Sequence, residues 1–159
     1  MTDKSSKLNL TNARLLAVQT VYAHALSGDD WDRLMSRALT GDLGGHALVE
    51  SEHQAETSVA LPPADAGLFT RIIQAYRDHA PDIDTAIQSG LSDKIQFDRL
   101  DTTFLCILRT GLAEFYANPD LDAPVIINEY VDITRSFYDG PEVKIANALL
   151  DRFARVFKE

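Results

Sequence analysis

Residues 98–117 read DRLDTTFLCILRTGLAEFYA, and this stretch decides the fold. Its large apolar side chains recur at steps of three and four residues, which places them on one wide stripe of an α-helix. The stripe consists of Phe104, Ile107, Leu108, Leu112 and Phe115. We expect it to form the central core helix, in contact with Val131, Leu149 and Phe153. Gly111 interrupts the stripe at a cost of up to about 1 kcal/mol relative to alanine, which predicts close packing of a neighbouring helix.

Similar helical periodicity occurs on both sides of this stretch, and no segment alternates apolar and polar residues as a half-buried strand does. Helix starts and stops are indicated by Thr11 or Asn12, by Ser27-Gly28, by Asp29 or Asp30, and by several prolines. The predicted helices span about 12–26, 30–38, 63–79, 81–91, 98–117, 124–137 and 141–157. We therefore predict an all-α fold of about seven helices and no sheet.

The organisation along the chain is that of one domain, 1–159, of a size that buries a single good core. Residues 1–10 form a polar segment with two lysines, which we expect to be mobile. Residues 40–62 contain three glycines and several glutamates, which predicts an acidic loop, with a short helix between His46 and Glu56 as an alternative. No stretch is long and apolar enough to span a membrane or to serve as a signal peptide, so we expect a soluble cytosolic protein.

The formal net charge of −9 argues against a broad basic face for nucleic acid. The charges are unevenly distributed, however. Residues 1–28 carry three basic and one acidic side chain, and residues 133–159 carry five and four, whereas the middle of the chain is strongly acidic. If the two ends meet in space, a locally positive patch can exist on an acidic protein.

The sequence lacks the motifs of common enzymes. It has no glycine-rich phosphate loop, no GxSxG and no HExxH, so binding rather than catalysis is expected, without a cofactor. His46, Glu50 and His53 have near-helical spacing on a polar segment, but exposed loop residues are a better interpretation than a metal site. The single cysteine, Cys106, lies in an apolar run and is predicted to be a buried, inert thiol.

Several short motifs lie in the C-terminal third of the chain: Ile107-Leu108-Arg109 with Glu114, Pro124 followed by Ile127-Asn128-Glu129, and a final helix around Asn147-Ala148-Leu149-Leu150-Asp151. Together with the N-terminal helix, this pattern resembles the bacterial NusB family of transcription antitermination factors. The N-terminal helix, with Ala13-Arg14, Ala17-Val18-Gln19 and Tyr22, is similar to the opening of the family. About two thirds of the chain is covered, and the acidic middle is not matched.

This resemblance implies a fold of two small packed helical bundles and a role in antitermination complexes with RNA polymerase. Family members join NusE, a ribosomal protein, and the pair holds the single-stranded boxA element of ribosomal RNA leaders. Carried over residue by residue, the resemblance implies RNA contacts in the N-terminal basic segment, in the first helix and after the INE helix. These candidates are Lys4, Lys7, Arg14, Gln19, Tyr22 and Phe137. Such side chains pair with phosphate, read base edges or stack on unpaired bases.

Several of these residues also have a purely structural interpretation. Tyr22 and Phe137 both suit core packing, whereas Arg14 is expected to face away from Leu15 and Val18. Asn128 and Asn147 are expected among core residues, where they would hydrogen-bond to fix the last two helices. For Arg109 we expect an ion pair with Glu114 or another carboxylate rather than a ligand contact.

The sequence also departs from the family pattern. Only Lys4, Lys7 and Arg14 remain of the usual arginine-rich opening, which weakens the expected contact with RNA. A competing hypothesis is therefore a helical protein-interaction domain of this fold with little RNA affinity of its own. Some NusB-like domains precede an RNA methyltransferase domain, but we expect no such domain in a chain of 159 residues.

Overall fold

A computed structural model describes residues 2–41 and 63–158, without the side chains of residues 2–5. In these ranges the chain forms six α-helices and one short 3-10 helix, and no strand. The α-helices are α1 (Thr2–Ser27), α2 (Trp31–Leu39), α3 (Ala66–Gly90), α4 (Thr102–Ala117), α5 (Ala123–Phe137) and α6 (Glu142–Phe157), and the 3-10 helix is Phe97–Arg99. The predicted all-α class is confirmed. The acidic loop and the alternative helix within it fall almost wholly outside the described residues.

The chain divides into two compact units, residues 1–70 and 71–159. In the first unit α1 and α2 pack as a helical hairpin. Gly28 ends α1 with a φ of +67°, a conformation that glycine adopts without steric cost. Its N–H donates to the carbonyl of His24 at 2.8 Å. The Asp30 carboxylate then caps α2 by accepting from the N–H of Arg33 at 3.1 Å, so the predicted stop and restart are both confirmed.

The predicted start of the first helix at Thr11 or Asn12 is wrong, because α1 begins at Thr2. Neither proline nor glycine interrupts residues 2–12, and the helix continues through them. The side-chain amide of Asn12 instead donates to the carbonyl of Pro63 at 2.8 Å, while the carbonyl of Asn9 accepts from the N–H of Asp65 at 3.0 Å. These two bonds fasten the segment that leads into α3 to the side of α1.

The two helices predicted on either side of Pro81 are one helix, α3. Proline normally ends or kinks a helix because it lacks an N–H and crowds the preceding turn. Here the apolar face continues through it, and Tyr76, Ile83 and Ile87 are all buried while Pro81 is exposed. Burial along a continuous face therefore outweighs the local signal that predicted a break.

In the second unit α4 packs against both α5 and α6, which also pack against each other. All five residues of the apolar stripe are at most 2% exposed, which confirms α4 as the core helix. Val131 and Leu149 are buried, and the predicted contact of the stripe with Phe153 is confirmed, because the rings of Phe115 and Phe153 meet edge to face at 5.5 Å. The carboxylate of Asp101 caps α4 by accepting from the N–H of Phe104 at 3.4 Å.

Gly111 lies where α5 and α6 come closest to α4. A Cβ added there would lie 3.1 Å from Cδ2 of Leu150 and 3.2 Å from Cγ of Tyr130. The predicted close packing is thus confirmed. The Tyr130 hydroxyl donates to Oε1 of the fully buried Glu114 at 2.8 Å, and Asn118 donates to the other carboxylate oxygen at 2.9 Å. A buried carboxylate is costly unless it accepts such bonds, so Glu114 fixes Tyr130 and the end of α4 together.

The core positions predicted for Asn128 and Asn147 are wrong, because both side chains are exposed. On α5 the buried face is formed by Ile126, Ile127, Tyr130 and Val131, and the helical register turns Asn128 outward. On α6 the buried face includes Ala146, Leu149 and Leu150, and the helical register likewise turns Asn147 toward solvent. The amides are thus solvated and do not fix the packing of these two helices.

Leu108→Ala is expected to lower the free energy of unfolding by about 2–5 kcal/mol, because a fully buried leucine leaves a cavity in the centre of α4. Chemical denaturation of both proteins measures the difference. Val156→Ala is the matched control, since Val156 is 67% exposed and should change stability by less than about 0.5 kcal/mol. Equal midpoints for Leu108→Ala and the native chain would mean that the stripe does not form the core.

Candidate nucleic-acid interface

Five of the six candidate residues lie on α1 and the sixth, Phe137, ends α5. Lys7 is exposed and Tyr22 is half-buried. The backbone of Lys4 belongs to α1, but its side chain lies outside the described part of the structure. The helix α1 thus carries an exposed cation, Lys7, and a partly exposed aromatic ring, Tyr22, in the unit that comprises residues 1–70.

The outward orientation expected for Arg14 is wrong, because the residue is only 4% exposed. Residues four apart share a face of a helix, so Arg14 lies on the same side as the buried Val18. Arg14 is also engaged in an interaction within the protein. Arg14 is thus part of the packed face of α1.

Gln19 is also buried, at 7% exposure. Within the described residues, its side-chain nitrogen Nε2 has no hydrogen-bond partner. A buried amide donor left without an acceptor costs about 1–3 kcal/mol. Gln19 is therefore a polar group whose bonding capacity the described residues leave unused, a feature that periodicity alone did not reveal.

Tyr22 lies partly at the surface, which agrees with the interpretation in which its ring packs and its hydroxyl reaches solvent. Two residues further along α1, the imidazole of His24 stacks on the indole of Trp31 with ring centroids 3.9 Å apart. This stack joins the end of α1 to the start of α2. The C-terminal half of α1 is thereby held firmly in the hairpin.

Phe137 is 46% exposed, so the structure places much of its ring at the surface rather than in the core. The next residue, Tyr138, is anchored. Its ring meets Phe104 edge to face at 5.7 Å, and its hydroxyl donates to the carboxylate of Asp101. Burial and this bond both raise the pKa of Tyr138 above its ordinary value, so the hydroxyl remains a donor throughout the physiological range.

Positive charge near Phe137 is limited. Arg135 lies two residues before it, but its guanidinium pairs with Asp132 at 2.8 Å, and both side chains are exposed. Lys144 on α6 is exposed. An exposed pair of this kind contributes little to stability, so Arg135 can exchange its partner for another anion.

Arg109 forms an internal ion pair with a carboxylate, as expected, and its partner is Asp84 rather than Glu114. Its guanidinium donates from Nε and Nη2 to the two carboxylate oxygens of Asp84, at 2.9 and 3.0 Å. Burial lowers the pKa of Arg109, but the hydrogen bonds to Asp84 and the electrostatic effects of Tyr76, Asp84 and Cys106 together outweigh this effect and raise the pKa overall. The pair joins α3 to α4, and nothing in its geometry suggests a ligand contact.

Cys106 is fully buried in α4, as predicted. Burial raises the pKa of its thiol to about 11, so almost no thiolate forms near neutral pH and the group is a poor nucleophile. In the described ranges, no three His, Cys, Asp or Glu side chains are arranged to hold a metal ion. His46, Glu50 and His53 lie outside those ranges. Of the described helices, none has the length and apolarity to cross a membrane.

Comparison with known proteins gives one consistent result. Residues 11–155 match the model of the NusB family. The transcription antitermination protein NusB of Rhodospirillum rubrum is 35% identical over 150 residues, which cover 90% of this chain and 81% of that protein. NusB of Sphingopyxis alaskensis is 33% identical, with 90% of each chain covered.

Solved structures show the same fold. NusB of T. maritima superposes with a TM-score of 0.68 at 20% sequence identity, covering 91% of this chain and 89% of its own. A structure of the antitermination factors NusB and NusE in complex with dsRNA contains a chain with a TM-score of 0.66 at 19% identity, covering 92% of this chain and 96% of that one.

Tyr138→Phe is expected to lower the free energy of unfolding by about 1 kcal/mol, because it removes a hydrogen bond to a carboxylate at a partly solvated site. Amide hydrogen exchange should also become faster around residues 135–144, where the end of α5 loses its anchor. Tyr116→Phe is the matched control, since the Tyr116 hydroxyl makes no hydrogen bond within the described residues. Equal exchange in the two variants would show that the bond does not hold this segment.

Proposed function

The chain belongs to the NusB family, and from that premise we propose that it is a transcription antitermination factor that binds boxA-type single-stranded RNA of ribosomal RNA leaders together with NusE. It acts in the bacterial cytoplasm as part of an antitermination complex with RNA polymerase. It performs no catalysis and needs no cofactor. The structure of NusB and NusE with dsRNA supports NusE as the protein partner and RNA as the class of ligand.

The observation that carries this proposal is the placement of Phe137. Its ring is 46% exposed at the end of α5, and the residue that follows is anchored by Asp101. An aromatic ring held outward on a rigid element can stack on an unpaired base at little entropic cost. Single-stranded RNA offers such bases, whereas a duplex hides them.

The α1 helix, which belongs to the other unit, carries a second group of proposed RNA contacts. Lys4 and Lys7 pair with phosphates, and the exposed part of Tyr22 contacts a base or a ribose. Arg14 and Gln19 are buried, so we assign them an indirect role through the packing of α1, with direct contact only if RNA binding exposes them. The unused donor of Gln19 would then gain an acceptor on a base.

Charge explains why a partner is needed. The chain carries 24 acidic and 15 basic side chains, and the few cations of α1 cannot neutralise many phosphates. NusE, a basic protein in the family, would be attracted electrostatically to this acidic chain and would supply further positive charge for RNA. The isolated chain is therefore a weak RNA binder, and the pair is a strong one.

A second candidate is a protein-interaction domain with little RNA affinity. The burial of Arg14 favours it, because the N-terminal segment then presents fewer cations than its sequence contains. The two candidates differ in one measurable respect. Only if this chain contacts RNA does the affinity of its mixture with NusE for boxA depend on surface residues of this chain.

Labelled boxA RNA titrated with this chain alone should give weak or undetectable binding, and addition of NusE should strengthen it markedly. The association rate of the two proteins should fall as salt concentration rises, because their attraction is electrostatic. Fluorescence anisotropy and stopped-flow measurements provide both readouts. Tight binding by this chain alone, or no gain on mixing, is incompatible with the proposal.

Phe137→Ala is expected to weaken RNA binding by the mixture about 5- to 150-fold, corresponding to the loss of one stacked base at about 1–3 kcal/mol. Val125→Ala is the matched control, since Val125 is a large apolar residue on the same helix and is 43% exposed. Unchanged affinity for both variants would favour the protein-interaction domain. Circular dichroism confirms that both variants remain folded.

A further inference from the structure

A second polar feature lies in the segment between α3 and α4. Residues 92–100 fold back on themselves through hydrogen bonds from the N–H of Ile95 to Ser92 and from the N–H of Arg99 to Gln96, each at 3.0 Å. The turn borders an open cleft of about 450 Å³, which is large enough for part of a nucleotide chain. The cleft is lined by Lys94, Ile95, Gln96, Arg99 and Leu100.

The cleft carries two cationic side chains, Lys94 and Arg99. Both Lys94 and Arg99 are exposed, and among the described residues neither side chain has a hydrogen-bond or ion-pair partner. Two other arginines of the second unit, Arg109 and Arg135, do hold carboxylates. On a chain with a net charge of −9, two cations at one cleft that lack a partner in the described part of the chain indicate a place for an anion.

Hydrogen bonding places the cleft close to the proposed RNA surface. Arg99 and Leu100 are followed directly by Asp101, whose carboxylate accepts the hydroxyl of Tyr138. The neighbour of Tyr138 is Phe137, with ring centroids 6.4 Å apart. The cleft and the exposed phenylalanine are therefore connected through one hydrogen bond, within the same compact unit.

We propose that the cleft binds a backbone phosphate of the RNA strand whose base stacks on Phe137, an inference that rests on the proposed function. Arg99 offers a planar fork of donors and Lys94 a mobile ammonium, and both groups pair well with phosphate oxygens. The amide of Gln96 adds a neutral donor, and Ile95 and Leu100 provide an apolar surface for the ribose. An acidic protein segment would satisfy the same cations, but only RNA also accounts for the adjacent exposed ring.

The test is a double variant, Lys94→Gln with Arg99→Gln, measured with NusE and labelled boxA RNA over a range of salt concentrations. The loss of two phosphate contacts on a single strand should reduce the slope of log affinity against log salt by about 1.4. Affinity should then fall about 25-fold at 0.1 M salt and hardly at all at 1 M salt. The control is Arg152→Gln with Arg155→Gln, which removes the same charge from the exposed side of α6.

The outcomes separate this inference from the proposed function. If the native mixture binds RNA and Phe137→Ala weakens it while the cleft variant does not, the cleft is not an RNA subsite and the proposed function stands. If the native mixture does not bind RNA, both fail. A comparable loss in the α6 control means a general effect of net charge and overturns the inference. Weaker binding of NusE by the cleft variant in the absence of RNA would instead identify a protein contact, which also overturns it.

Discussion

The close approach of three helices at Gly111 is the constraint on which the second unit depends. A methyl group at that position would press against both Tyr130 and Leu150, so the spacing of α4 from α5 and α6 is set by the absence of a side chain. The buried carboxylate of Glu114 then holds the Tyr130 ring in the place that this spacing requires. The absence of a side chain at Gly111 and the buried carboxylate of Glu114 together define the packing of these helices, and the apolar stripe of α4 fills the remaining space.

Much of this packing could be predicted because it leaves a strong local signal. The stripe of α4, the interruption at Gly111 and the cap at Asp30 all follow from side-chain size and hydrogen-bonding capacity read along the chain. Predictions failed where a local rule competed with burial over a longer range. Pro81 was expected to divide a helix, yet the apolar face on both sides of it keeps α3 continuous.

The candidate site was less predictable, because exposure depends on which face of a helix the fold covers. Arg14 was expected at the surface and is buried, whereas Asn128 and Asn147 were expected in the core and are exposed. All three errors concern polar residues, whose orientation is set by which of the apolar residues around them on the helix the fold buries. The cleft beside Phe137 left no signal at all, since its two cations are separated by four residues of mixed character and come together only through the turn.

The carboxylate of Asp101 accepts from the first turn of α4 and from the Tyr138 hydroxyl at the end of α5. One side chain therefore serves two elements that are distant in sequence. During evolution, such an arrangement restricts the order in which residues can be exchanged. A lineage that replaces Asp101 loses the start of a helix and the anchor of the surface loop in one step, whereas a lineage that replaces Tyr138 first loses only the anchor. Substitutions at these two positions are thus expected to be correlated, and Tyr138 is expected to change before Asp101.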